Sequence, residues 1–307
     1  MHDYEEIKPN YLAIKLGLPL MVIFACALFL FSLARNDDNY TSIDAKGERI
    51  KYSIYYKYDG KIYAMIPSGG YYQVEGADAK TFKLVDSDPI YNNSVGVDKD
   101  HVYFGNQKIG DLNAKTIKYI GNGYYSDGKN TYFCSNNSVR NPNLPVIVEA
   151  FQSIVYTLTN DKKPQSYIYP YQKLEGVKDI VKFDKLSFFA RSGNRLYYMG
   201  KALKNADPHT IRTVSEKGEF FCDAENVYYK DEILPIENSG QLEYLEIPQE
   251  DYFLYDKKTG HVFNKTYMFD KDHAPYKYIG NNSKHAHSMF FTSKDGLYFY
   301  NSKKNIK

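Results

Sequence analysis

The chain has 307 residues, with 39 Lys and Arg against 37 Asp and Glu for a formal net charge of +2, 32 Tyr, 18 Phe and no Trp. That even balance excludes a dedicated nucleic-acid surface, which gathers basic side chains into one patch. The aromatic content excludes a disordered chain, and Lys303-Lys304 reads as a solvated tail.

Residues 1–15 read as a cytoplasmic N-terminal segment. Leu16 to Ala34 then carries no charge over 19 residues, between Lys15 and Arg35. At ~1.5 Å per residue such a helix covers the ~30 Å hydrocarbon core of a bilayer. One transmembrane helix is therefore expected over 16–34, with Pro19 near its first turn, where proline is best tolerated. Nothing downstream reads as helical enough to surround it. A cleaved signal peptide is the alternative, with Ser32-Leu33-Ala34 as its site. Lipidation of Cys26 is disfavoured by bulky Phe24 and by the apolar and small residues after it. Lys8 and Lys15 precede the span and Arg35, Lys46, Arg49 and Lys51 come after it, so charge does not set the orientation. The body is expected outside the cytoplasm, as short N-terminal anchors commonly export the chain behind them. Residues 35–50 read as a linker and 51–307 as a tyrosine-rich β-repeat domain.

That domain repeats one short phrase: an acidic or turn residue, a few polar residues, then an apolar–aromatic–aromatic triplet. Clear copies are Asp98-Lys99-Asp100-His101-Val102-Tyr103-Phe104, Asp127 to Phe133, Ser192 to Tyr198 and Asp223-Ala224-Glu225-Asn226-Val227-Tyr228-Tyr229. Others start at Asp59, Asp256 and Asp295, and a degenerate copy runs from Asn160 to Tyr169. Eight units result, with seven intervals averaging about 33 residues between Tyr63 and Leu297, a spacing typical of stacked or circular repeats. A second phrase recurs at Gly76 to Lys83, Gly110 to Lys118 and Asn205 to Arg212. In it an Asp or Asn closes a turn and Thr-Phe/Ile-Lys/Arg enters a strand. Each unit thus reads as a hairpin, a turn and a further strand, too small to bury its aromatic face alone. The expected fold is all-β and β-propeller-like, because circular closure removes exposed sheet edges. An open β-solenoid-like array is the alternative.

These phrases resemble the DKNYY repeat family, most closely at Asp98 to Phe104 with its follower Asp111 to Lys118, and at Asp223 to Tyr229. The resemblance covers most of residues 55 to 300, with an interruption at Asn141-Pro142-Asn143-Leu144-Pro145. It implies a bacterial protein, often exported or anchored, with no established chemistry and no catalytic residues.

Few residues point to chemistry. Asp98-x-Asp100, Asp86-x-Asp88 and Asp270-x-Asp272 lack the Gly and distal Glu of a calcium loop and read as β-turn residues. His285-Ala286-His287 with nearby His273 falls short of a zinc ligand set. No metal, cofactor or catalytic residue is assigned. Cys134 and Cys222 could pair if the body is exported; otherwise they are small hydrophobes on strands. Adjacent aromatics in a strand point to opposite faces, so about half the tyrosines are expected in the core. Tyr103, Tyr197, Tyr228 and Tyr298 are the candidates for a presented binding face. The expected role is a membrane-anchored, non-catalytic scaffold of the cell envelope whose repeat surface binds a protein or a cell-wall glycan. An anchored immunity-type inhibitor and an enzyme with a site built across repeats are the alternatives.

Overall fold

The structure, a computed structural model, describes residues 11–34, 38–85, 94–215, 219–247, 251–281 and 288–301. The side chains of 11–14, 16, 28–29, 31–34, 38–41, 247, 251, 281, 288–290 and 297–301 lie outside that description. Lys303-Lys304 falls outside it as well.

Among the described residues three α-helices accompany the strands: α1 (Tyr11–Ala34), α2 (Asp38–Lys46) and α3 (Val146–Thr159). α1 covers all of 16–34, and Leu18, Met21 and Phe24 on it are exposed. Among the described residues no helix is long and apolar enough to cross a membrane. The spanning role expected for 16–34 is therefore not supported by the fold alone. α2 occupies much of the stretch read as linker, and its Ile43 is fully buried against Tyr63 and Tyr71. α3 corrects the expectation that nothing beyond the first helix is helical. Its β-branched residues (Val146, Ile147, Val148, Ile154, Val155) mimic a strand, but Pro145 stands before its first residue and Asn160, at φ 58°, ends it.

The remainder is antiparallel β-structure. Among the described residues there are seven sheets of three or four strands and one two-stranded ladder, and every four-stranded sheet but the third is an uninterrupted meander. The first sheet comprises Glu48–Arg49, Tyr55–Tyr58, Lys61–Ile66 and Gly70–Gln73. The second comprises Lys83–Leu84, Val95–Val97, Val102–Phe104 and Gln107–Ile109. In the third, Lys118–Gly121, Tyr124–Ser126 and Thr131–Cys134 are completed by Tyr171–Lys173, after an insertion that carries α3. The third strands of the fourth to seventh sheets are Arg195–Tyr198, Asn226–Tyr229, Val262–Asn264 and Gly296–Asn301.

The repeated aromatic phrase is thus always the third strand of a meander. The degenerate copy at 160–169 is not a unit: Tyr167–Ile168 pairs only with Val139–Arg140 as the separate ladder. Eight expected units become seven, and the six intervals from Tyr63 to Leu297 average about 39 residues. Tight turns lie where the sequence puts them. Tyr58 pairs with Lys61 around Asp59 and Gly60, both at positive φ, and Tyr198 pairs with Lys201 around Met199 and Gly200, also both positive. Two such residues make the hairpin turn whose twist suits the strands.

Two compact units are delineated. One holds 1–115 with 135–170, and the other holds 116–134 with 171–307. In the first, the Tyr55 hydroxyl of the first sheet donates to the Ser94 carbonyl at 2.6 Å, at the edge of the second. In the other, successive sheets pack face to face. Tyr197 joins Tyr124 and Phe133 of the third sheet, whereas its neighbour Tyr198 joins Phe221 and Tyr228 of the fifth. Both faces of that third strand are therefore buried.

Candidate functional site

The repeated aspartate has a structural use that its sequence position only hinted at. Asp98 is buried, and its carboxylate accepts the backbone N–H groups of Asp100 (2.9 Å) and His101 (2.7 Å), closing the turn before the third strand. It also accepts the Asp78 N–H (3.0 Å) from the second phrase and the Tyr103 hydroxyl (2.8 Å). Asp223 repeats this with the N–H groups of Glu225 (2.9 Å), Asn226 (2.6 Å) and Asp207 (3.1 Å) and the Tyr228 hydroxyl (3.0 Å). Thr81 and Thr210 complete the match, accepting the N–H groups of Lys99 and Ala224. Burial pushes each carboxyl up, but the amides and the tyrosine hydroxyl outweigh it and hold Asp98 and Asp223 below the usual carboxylate range. The second phrase is thus a linker turn fastened to the aspartate of the next meander.

This arrangement places three of the four tyrosines expected on a binding face inside the protein. Tyr103 and Tyr228 are fully buried and bonded to their aspartates, and Tyr197 is 5% exposed. The alternation of faces holds; what differs is that a neighbouring sheet covers each face. Tyr298 lies on the last strand, with its side chain outside the described residues. Cys134 and Cys222 are free and buried, on strands of the third and fifth sheets. Burial pushes the Cys134 thiol up. Asp270 caps a short 3-10 turn by accepting the Asp272 N–H at 2.8 Å. His273 meets Asp295 at 2.6 Å. His285, His287, Asp86 and Asp88 lie outside the described residues. Among the described residues no three metal-ligating side chains cluster.

A concave site lies elsewhere, in the unit formed by 1–115 and 135–170. Two adjoining cavities of about 290 and 150 Å³ share Gln73, Asp161 and Lys163. The first sheet contributes Tyr58, Tyr63, Tyr71 and Tyr72 to their walls, and the segment after α3 contributes Asn160, Asp161, Lys162 and Lys163, with Tyr156 from the helix. Lys162 Nζ reaches Glu75 Oε1 at 2.6 Å across the mouth, and Lys163 Nζ stands 5.4 Å from the centre of the Tyr72 ring. Tyr71 donates to Asp44 at 3.2 Å and meets Tyr56 edge-on at 5.0 Å. Burial pushes Tyr63, Tyr71 and Tyr72 up, reinforced by Asp59 at Tyr63 and by Tyr56 and Asp44 at Tyr71. All three remain neutral hydroxyls at neutral pH, able both to donate and to accept.

The groove escapes sequence reasoning because its two walls are almost a hundred residues apart. The only local signal is the polar run Asn160 to Lys163 directly after an apolar helix, which reads instead as a worn repeat. Comparison with known proteins gives one match: a family profile described as DKNYY family fits residues 55–232. The fit begins on the second strand of the first sheet and ends at the start of the last strand of the fifth. No curated protein and no solved structure matches.

Proposed function

The chain belongs to the DKNYY family, and from that footing we propose that it is a membrane-anchored, non-catalytic binding protein of the cell envelope that holds a short glycan in the groove beside its first sheet. The anchor is α1, crossing the membrane over 16–34 with residues 1–15 in the cytoplasm and the β-repeat body outside. The uncharged run from Leu16 to Ala34 and its helical conformation support this reading. Face-to-face packing of four-stranded meanders, at about 39 residues per unit, supports a propeller-like closure over an open array. Scattering from the chain with detergent matched out tests that closure. A longest body dimension near ~70 Å, as seven sheets stacked ~10 Å apart would give, refutes it.

The observation that carries the binding role is the groove itself. It combines tyrosine side chains, the amides of Gln73 and Asn160, and the acidic and basic side chains of Glu75, Asp161, Lys162 and Lys163, of which Lys162 and Glu75 are paired. A lining this polar suits a ligand dense in hydroxyl and amide groups better than an apolar one. The test is titration calorimetry of the full chain in detergent with short amino-sugar oligosaccharides, repeated with Asp161→Ala and Lys163→Ala. Saturable binding weakened about tenfold by either change is expected, equal to roughly 1.4 kcal/mol. No binding, or binding indifferent to both changes, refutes the site. Stoichiometric capture of one envelope protein instead moves the role to the inhibitor reading.

A further inference from the structure

α3 is built inside out for a helix of a globular protein. Such a helix normally turns its apolar stripe inward and its polar face to water. Here Glu149, Ser153, Tyr156 and Thr157 form a half-buried polar side, with Glu149 paired to Arg140 and Tyr156 lining the groove, and Ile154 is half-buried as well. The opposite side carries Ile147 at 84% exposure, Phe151 at 67% and Leu158 at 60%, flanked by Val146, Val148 and Val155. No residue of α3 is fully buried. The exposed stripe bears no charge, and the only ionisable side chain of the helix with a charge at neutral pH is the inward-turned Glu149.

An apolar stripe of this length left in water is unfavourable, so something covers it. α3 lies against α1, within one compact unit. Together these two helices hold thirteen of the twenty-one exposed large hydrophobic side chains among the described residues. A docking surface for another protein has a polar rim around its apolar centre. This stripe instead belongs to a helix that lies against α1, the helix most suited to lipid, and it has no charged residue within it.

We propose that α3 is a second membrane contact, its aliphatic face lying in the interfacial layer of the bilayer that α1 enters. The inference rests on the anchoring reading of α1. The groove shares Tyr156 with this helix, so it would open close to the membrane surface, and the insertion between the third and fourth strands of the third sheet would fix its height.

The absence of tryptophan makes the test direct. Phe151→Trp and, separately, Leu158→Trp are introduced into the full chain and reconstituted into phosphatidylethanolamine–phosphatidylglycerol vesicles with brominated acyl chains. Tyr267→Trp, exposed in the sixth sheet, is the reference. Blue-shifted emission quenched at least twofold at 151 and 158, with none at 267, is expected. Alkaline carbonate extraction of the same vesicles reads α1 independently. A chain retained in the membrane with 151 and 158 unquenched, or with all three positions quenched alike, overturns the inference and leaves the anchor standing. Quenching at 151 and 158 in a chain that carbonate releases supports α3 and overturns the anchor. Release without quenching overturns both.

Discussion

Replacing Asp223 should show how much of the repeat depends on its aspartate. In Asp223→Ala five hydrogen bonds to the carboxylate are lost at once: those from the N–H groups of Glu225, Asn226 and Asp207, from the Tyr228 hydroxyl and, at 3.4 Å, from Asn226 Nδ2. Glu225 and Asn226 sit in a turn that water can reach, so each loses only ~0.5–1 kcal/mol. The Asp207 amide is less easily rehydrated and as an unpaired donor costs ~1–3 kcal/mol, whereas the Tyr228 hydroxyl keeps the Lys204 carbonyl at 3.3 Å and loses only ~0.5–1 kcal/mol. The sum is about 4 kcal/mol. For a body of this size ~1 kcal/mol moves Tm by roughly 2–4 °C, so a fall of about 8–16 °C is expected. Near-ultraviolet circular dichroism of the tyrosines tracks the transition in the detergent-solubilised chain. Asp223→Asn keeps an oxygen acceptor but loses the charge, and should fall between wild type and Ala. A double-mutant cycle with Tyr228→Phe should give a coupling of about 1–2 kcal/mol. Zero coupling, or an Asp223→Ala variant melting within 2 °C or so of wild type, would refute the claim that this bond network fastens linker to meander.

The same network gives the stability a pH window. Asp98, Asp223 and Asp256 are held below their ordinary values, so their contribution is full above the unfolded carboxylate pKa of ~3.9 and is lost as pH falls through the folded values. Tyr103, Tyr198 and Tyr228 are pushed up, first by burial, so their contribution is full below ~10 and is lost as pH rises above it. Tm should be flat between about pH 5 and 9 and fall on both sides, the alkaline arm coinciding with phenolate absorbance; a Tm that climbs below pH 4 contradicts the assignment. Gly200 sits at φ 86°, and a Cβ there would stand 2.8 Å from Gln172 Cβ and 2.9 Å from Phe133 Cβ, whereas Gly193, at φ 57°, faces open space. Gly200→Ala should cost about 2–4 kcal/mol and Gly193→Ala about 1 kcal/mol in urea unfolding, and equal costs would remove the close approach as the reason for glycine at 200.

Much of the fold is legible in the sequence, for a local reason. The turn aspartate, its amides and the strand after them are contiguous, so the phrase from Asp223 to Tyr229 marks its strand without help from the rest of the chain. The same locality explains the errors. Tyr167-Ile168-Tyr169 comes after a turn-rich run and looks like a repeat strand, yet its partner is Val139–Arg140, beyond an intervening helix. α3 escapes the pattern because β-branched residues dominate it and its apolar stripe points outward. Alternation places Tyr197 and Tyr228 on a presented face because it tells which residues share a side, not whether another sheet lies on that side. The groove is least legible, since Tyr72 and Lys163 meet only through tertiary packing.

The insertion in the third sheet also constrains how this protein can be made and altered. Neither compact unit is one continuous stretch of chain: the first closes only when 135–170 is added to 1–115, and the other needs 171–307 to complete what 116–134 begins. On the ribosome the first unit therefore waits until residue 170 has emerged, with three strands of the other already synthesised and lacking their fourth. A genetic crossover between the second and third meanders, which in an ordinary tandem array would exchange whole modules, would here separate the first unit from its 135–170 segment. On the C-terminal side of Tyr171, by contrast, each meander is complete before the next begins.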